Sequence, residues 1–197
     1  MKRIGVLALQ GDFEAHRRAL AELGVEAPEV RRAAELEALD ALVIPGGEST
    51  TMLKLLGSEN MLEPLRAFGG ERPIFGTCAG AILLAGEVRN PSQESLGLVD
   101  ISVERNAYGR QLDSRVAWVQ LEPGLAARSG RRQIEAVFIR APIIRRTGNG
   151  VRILARYQGD PVLVEQGRHL VATFHPELSS DRLIHRYFLE RLESWRS

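Results

Sequence analysis

The sequence predicts an α/β protein, a three-layer sandwich with a mostly parallel central sheet plus antiparallel additions. Three observations lead there. Short continuous apolar runs recur at Arg3 to Leu9, Ala41 to Ile44 and Pro73 to Phe75, the pattern of strands buried on both faces of a parallel sheet. Helical stretches alternate with these runs through the first half of the chain, as βαβ units require. Each run also ends in a polar or glycine-rich turn: Gln10-Gly11-Asp12, Gly46-Gly47-Glu48, and Gly76-Thr77-Cys78. In open α/β sheets ligands bind outside the carboxyl ends of the strands, so these turns would share one edge.

The elements follow in order. After the first strand, Phe13 to Leu23 reads as a helix closed by Gly24, a residue suited to the left-handed position past a helix end. Val25 to Val30 reads as a weaker strand. Ser49 or Thr50 is placed to cap a helix running to about Leu56. A further helix from Met61 to Phe68 precedes the third apolar run, and residues 79–85, Ala-Gly-Ala-Ile-Leu-Leu-Ala, read as helical. The pattern then changes. Val99 to Glu104, Val116 to Leu121, Glu135 to Ile139, Val151 to Tyr157, Pro161 to Glu165 and His169 to Phe174 read as strands, with little helical pattern between them. Antiparallel additions are expected here. Asp181 to Trp195 closes the chain as an amphipathic helix, with Leu183, Ile184, Tyr187, Phe188, Leu192 and Trp195 at helical spacing. With no repeat, linker or low-complexity stretch, residues 1–197 read as one domain.

Bulk properties exclude several classes. The chain has 197 residues, 44% of them hydrophobic and 26% charged, which suits a globular protein with a full core. A formal net charge of +1 offers no electrostatic basis for binding nucleic acid or a membrane surface. The single cysteine, Cys78, excludes an internal disulfide and any multi-cysteine metal site. The Met-Lys-Arg start resembles a secretion signal, but the apolar run Ile4 to Leu9 is too short for one. No stretch approaches the roughly 20 apolar residues of a membrane span. A cytoplasmic location follows, where a thiol stays reduced.

Cys78 sits in Gly76-Thr77-Cys78-Ala79-Gly80, where a short strand meets a helical stretch. A lone cysteine is often only a small core hydrophobe. Two flanking glycines have no use in such a core position. They suit a sharp strand-to-helix turn that presents a nucleophile and leaves room for substrate. A helix N-terminus at the sulfur favours the thiolate.

A base and its orienter are also present. His175 ends an apolar strand and is followed by Pro176-Glu177. Residues two apart in an extended chain face one side, so Glu177 can fix the imidazole tautomer and stabilise the imidazolium. The alternative is a strand-end ion pair with no catalytic role. His16 and His185 fall inside helical patterns and read as surface or half-buried helix residues, and His169 reads as structural. The N–H groups of Gly47 and Ala79 are placed to hold an oxyanion. The segment Gly46-Gly47 lacks the Gly-Lys-Ser/Thr ending of a phosphate-binding loop. Arg105, Arg110 and Arg140 could each hold a carboxylate bidentately or stand as solvated surface charges.

Together these residues resemble class I glutamine amidotransferases. The closer match is to the family of glutaminase subunits of pyridoxal 5′-phosphate synthase, the PdxT family. Leu7-Ala8-Leu9-Gln10-Gly11, Ala41 through Thr51 with Pro45-Gly46-Gly47-Glu48-Ser49, and Phe75 through Gly80 carry the resemblance. Val103-Glu104-Arg105-Asn106, Gly109-Arg110-Gln111, Phe138 through Pro142 and Phe174-His175-Pro176-Glu177-Leu178 extend it over nearly the whole chain. Ile82 stands where many class I members carry Gln, as in the pyridoxal family. The resemblance implies a Cys78–His175–Glu177 triad and a glutamine site lined by Gly47, Glu48 and Ser49. It assigns the substrate carboxylate to Arg105, with Ile139 and Arg140 completing the pocket. It further implies L-glutamine as substrate, no cofactor or metal, and a (β/α)₈ synthase subunit as partner in a hetero-oligomeric complex. Partner docking would complete the oxyanion site, with Gln10-Gly11 as a contact. Two other classes share parts of the pattern. A stand-alone γ-glutamyl thiol hydrolase would use the same triad without a partner. A binding or redox-sensing module would need the cysteine but not His175-Pro176-Glu177.

Overall fold

The computed structural model describes residues 2–105 and 114–195. Its elements in chain order are β1 Ile4–Leu7, α1 Phe13–Glu22, β2 Glu29–Val30, β3 Ala41–Ile44, α2 Ser49–Ser58, α3 Leu62–Glu71, β4 Ile74–Thr77 and α4 Ala79–Leu84. There follow β5 Ala85–Arg89, β6 Val99–Glu104, β7 Ser114–Leu121, α5 Pro123–Ser129, β8 Gln133–Ile139, β9 Ile143–Thr147, β10 Val151–Tyr157, β11 Asp160–Gln166, β12 His169–Ala172 and α6 Leu183–Ser194. Short 3₁₀ turns occupy Ala33–Leu36 and Pro176–Leu178. No helix among the described residues is long and apolar enough to cross a membrane.

The main sheet has nine strands in the order β2-β1-β3-β4-β12-β11-β10-β7-β8. The β2-β1-β3-β4-β12 block is parallel throughout. From β12 outward, β11, β10, β7 and β8 pair antiparallel. The antiparallel addition is thus nearly as wide as the parallel block. A second sheet, β5-β6-β9, packs to one side.

Strand alternation sorts the core into two layers. Val6, Val43 and Leu170 face α1, α5 and α6, meeting Leu20, Leu125, Ile184 and Phe188. Their neighbours Leu7, Leu42 and Val171 face the other way, onto Met52 and Leu56 of α2, Leu65 of α3, Leu83 of α4, and Ile101 and Val103 of the small sheet. This is the three-layer arrangement, and it explains why β1, β3, β4 and β12 are buried at every position.

Several boundaries differ from those the sequence suggests. The stretch from Val25 contributes only Glu29–Val30 to the sheet. Strand β12 ends at Ala172, short of Phe174, although the Thr173 N–H still donates to Val162 O of the neighbouring β11 at 2.9 Å. Helix α2 is capped by Glu48, whose carboxylate accepts from the Thr50 and Thr51 N–H groups, so neither Ser49 nor Thr50 is the cap. The sequence reading missed β5, β9 and α5. Helix α5 carries Pro123 in its first turn and Gly130 in the left-handed conformation at its end, the standard start and stop signals.

Candidate active site

Strand β4 delivers Cys78 to the carboxyl edge of the parallel block, and α4 begins at the next residue. Cys78 itself, not a glycine, takes the strained conformation, φ 47° and ψ −101°. That combination lies outside the left-handed helical basin and costs on the order of 1–3 kcal/mol for a residue with a Cβ. It is held by the Cys78 N–H donating to Ala172 O at 2.9 Å and the Ile82 N–H donating to Cys78 O at 3.2 Å. The flanking glycines serve close packing. A Cβ on Gly76 would lie 2.6 Å from Gly80 O, and one on Gly80 would lie 2.2 Å from Ile44 O. Glycine at both positions lets α4 sit directly on β3 and β4, which fixes the turn.

His175 arrives from β12 by a different route. Its N–H donates to Val137 O of β8 at 2.8 Å. Pro176–Leu178 then forms a 3₁₀ turn. His175 and Glu177 therefore meet across a tight turn and not along an extended strand. His175 Nδ1 lies 2.6 Å from Glu177 Oε1, and both side chains are buried. The ring rests against Gly46, where an added Cβ would come within 2.3 Å of His175 Cε1. Burial pushes the imidazole pKa down. The hydrogen bonds and Coulombic pull of Cys78 and Glu177 outweigh it and raise the pKa to about 10. Asp12 adds a second carboxylate, its Oδ2 3.6 Å from His175 Nδ1.

Of the remaining candidates among the described residues, all but the buried Ala79 line the same cleft, about 260 Å³ in volume. Its walls include Gly47, Glu48, Ser49, Cys78, Arg105, Ile139, Arg140 and His175, together with Gln10, Asp12 and Ile82. Ile139 O lies 3.7 Å from the Cys78 sulfur. Arg105, at the end of β6, donates to Thr50 Oγ1 at 2.8 Å and stands 3.9 Å from Glu48 Oε1. Hydrogen bonds from the Thr51 hydroxyl and from the Thr50 and Thr51 N–H groups hold the Glu48 carboxyl below its ordinary pKa, against a smaller desolvation effect. Ser49 is buried, and its Oγ donates to Gln93 Oε1 at 3.2 Å. Ala79 is the first residue of α4, where a helix leaves its N–H groups without intrahelical acceptors. The Gly46 carbonyl accepts from the Asp12 N–H at 3.1 Å, so the Gly47 N–H points to the other side of that planar peptide. The Gln10 side chain accepts from the Glu48 N–H at 3.0 Å. Arg110 lies outside the described residues.

Among the described residues, Asp12, His175 and Glu177 bring three ligand-type atoms within 4.8 Å of one another. The His175 nitrogen involved is already bonded to Glu177, so the group fits a hydrogen-bonded pair with an exposed carboxylate beside it better than a metal site. A larger cleft of about 550 Å³ lies between α5 and α6. It contains neither Cys nor His, and Arg128, Arg131 and Arg182 along it are paired with Glu190, Asp181 and Glu22.

The histidines expected on helix surfaces are fully buried: His16 on α1 and His185 on α6 are both 0% exposed. His16 precedes Ala19 and Leu20 on the apolar face of α1, a spacing that carried the signal. His169 accepts from the Ile74 N–H at 3.2 Å, the structural role its position suggested.

A crystal structure described as a glutamine amidotransferase matches with a TM-score of 0.86 and 48% identity, over 96% of this chain and 98% of that one. The structure of PurLQS from Thermotoga maritima shares the fold, with a TM-score of 0.69 at 17% identity over 97% of this chain and 99% of that one. The class these likenesses define is the glutamine amidotransferase. The chain belongs to the SNO glutamine amidotransferase family, which matches residues 6–194. Among curated relatives, a protein of Solibacter usitatus named pyridoxal 5′-phosphate synthase subunit PdxT is 59% identical over 98% of this chain and all of its own length, 100%. Proteins of the same name from Thermotoga maritima and Thermus thermophilus are each 50% identical, over 97% and 95% of this chain and 100% and 96% of their own lengths.

Proposed function

We propose that residues 1–197 act as one glutaminase domain that hydrolyses L-glutamine to L-glutamate and ammonia, and that the ammonia passes to a pyridoxal 5′-phosphate synthase subunit. The observation that carries this reading is the disposition of His175. Its Nδ1 is held by Glu177 at 2.6 Å, which leaves Nε2 for the sulfur and the substrate in the cleft that Cys78 lines.

The Cys78 thiolate attacks the side-chain amide carbon of glutamine. The resulting oxyanion is held by the N–H groups of Gly47 and Ala79, each such donor being worth about 3–4 kcal/mol of transition-state stabilisation. Protonated His175 passes its proton to the departing amine, the C–N bond breaks, and ammonia leaves. A γ-glutamyl thioester remains on Cys78. His175, now neutral, takes a proton from water as it attacks the thioester, the C–S bond breaks, and glutamate departs as the Cys78 thiolate and protonated His175 are restored. Arg105 holds the substrate carboxylate, Glu48 and Ser49 shape the pocket around it, and Ile139 and Arg140 close the far wall. The steps require no metal or cofactor.

Ammonia released into water at neutral pH would be protonated, so a receiving enzyme is part of the reading. The names of the curated relatives support a synthase partner. A (β/α)₈ synthase subunit, a hetero-oligomeric complex and a cytoplasmic setting complete the proposal. The test is glutamate release measured on the full chain with and without a synthase subunit. Stimulation by the partner, and a γ-glutamyl adduct on Cys78 seen by mass spectrometry, are the expected results. Full activity of the chain alone would favour a free-standing γ-glutamyl hydrolase. No adduct and no glutamate in either case would overturn the proposal.

A further inference from the structure

Behind the triad lies a buried polar chain that the mechanism above does not use. His16 Nε2 lies 3.0 Å from Thr77 Oγ1 and 3.3 Å from Glu177 Oε2. His16 Nδ1 lies 3.0 Å from His185 Nε2. Thr77 immediately precedes the cysteine, and Glu177 holds the imidazole, so His16 touches both arms of the site from behind. We propose that His16 is a positioning residue for the glutaminase site, donating its Nε2–H to Glu177 and Thr77 and thereby fixing the carboxylate that orients His175. The inference rests on the glutaminase reading of Cys78, His175 and Glu177.

The tautomers follow from the neighbours. Both rings are uncharged. Burial above all pushes His16 well below its ordinary pKa, and burial with the Arg182 charge lowers His185 to about 3. Each ring therefore carries one N–H. Glu177 Oε2 is buried and makes no hydrogen bond of good geometry among the described residues, and His16 Nε2 stands 3.3 Å from it, close enough for an electrostatic contact. An ionised carboxylate only accepts, so a bare Nε2 lone pair facing it at 3.3 Å would be repulsive. A proton on His16 Nε2, shared between Oε2 and Thr77 Oγ1, makes the contact attractive. His16 Nδ1 must then accept, and His185 Nε2–H is the donor. His185 Nδ1 is left bare and unpartnered, as it stands in the structure. The reverse assignment would bury an N–H of His185 with nothing to receive it, the more costly arrangement. Phe75 packs edge-on against both rings, at 6.1 and 5.8 Å between centroids, and locks their planes.

A merely structural histidine would change stability alone. A positioning histidine also changes how firmly Glu177 holds the His175 proton, in a setting where Cys78, Glu177 and Asp12 are the charged or titratable groups that face His175. Two variants separate the cases: H16Q keeps a side-chain N–H near the Nε2 position, and H16M fills similar space with no donor. The readouts are the NMR titration of His175 in the full chain, which needs no turnover, and glutaminase kinetics with a synthase subunit present. For H16M the proposal expects a lowered His175 pKa, a kcat loss of about 10- to 100-fold, the range typical of lost outer-shell partners, and little change in KM. H16Q should recover most of both. A wild-type His175 titration and kcat in folded H16M would overturn the proposal, as would H16Q and H16M equally impaired with His175 titrating normally. Should H16M fail to fold, H185F removes the donor that sets the His16 tautomer. An altered His175 titration there supports the proposal and an unaltered one overturns it. A wild-type chain that releases no glutamate with its partner would sink the proposed function, while the titrations would still decide the role of His16.

Discussion

The two halves of the main sheet do different jobs. The parallel block β2-β1-β3-β4-β12 supplies the turns after β1, β3 and β4 and leads through β12 to His175, all at one edge. Parallel strands carry their carboxyl ends to the same side, so four connections converge without any special device. The antiparallel strands β11-β10-β7-β8 alternate direction, so β10 and β8 both end at that edge, and of these β8 lines the cleft. What β8 offers is backbone: Val137 O anchors His175, and Ile139 O lies beside the sulfur. The difference teaches that the proposed reacting groups come from the parallel half, while the antiparallel half braces them.

Substitutions can break or sharpen that contrast. The largest effect is expected for C78A, which should abolish glutamate release, a loss of at least about 10³-fold, and leave no thioester by mass spectrometry. G46A places a methyl in the His175 ring, so a kcat loss on the order of 100-fold is expected in steady-state assays. R140A lies in the wall contributed past β8, and it should raise KM for glutamine about tenfold while changing kcat little. A kcat loss as large as that of G46A would erase the distinction between the halves.

Stability provides two further tests. Burial lowers the pKa of His169 to about 4 and of His185 to about 3, both well below the ordinary value of 6.5. As pH falls below about 6.5 the unfolded chain binds protons that the folded chain refuses. Denaturant titrations should therefore show stability falling toward pH 4, at on the order of 1.4 kcal/mol per pH unit for each histidine. His175 works in the opposite sense. Its raised pKa of about 10 gives a contribution fully present below pH 6.5 and lost as pH rises toward 10. The smallest effect concerns the strained turn. C78G should melt above C78A by the equivalent of about 1 kcal/mol, because glycine tolerates φ 47° with ψ −101° and alanine does not. An alanine variant at least as stable would mean the turn carries no strain.

Much of the edge was legible in the residues. Ala41–Ile44 emerged with both ends correct, because a continuous apolar run met Pro45-Gly46-Gly47. The meeting of His175 and Glu177 was also legible, although a 3₁₀ turn accomplishes it and not strand alternation. Glu48 was hidden as a helix cap by the better-known capping residues Ser49 and Thr50 beside it. His16 was hidden because a histidine in a helix reads as polar. Its spacing with Ala19 and Leu20 was the one signal that its face is interior, and the packing of α1 on the sheet, with Phe75 beneath it, bears this out. Strand β9 is short and finds its partner β6 far along the chain, which local pattern does not report, and β5 is short, with two of its five residues exposed.

Gly46 has a consequence of a mechanical kind. On one side the imidazole of His175 lies against it, and on the other a Cβ at Gly11 would fall 1.8 Å from its carbonyl oxygen. A single backbone residue thus separates Gly11 from the His175 ring, with the Asp12 carboxylate alongside at 3.6 Å. Gly46 has no side chain to absorb a push, so anything that presses the loop at residues 10–12 bears directly on the His175 ring.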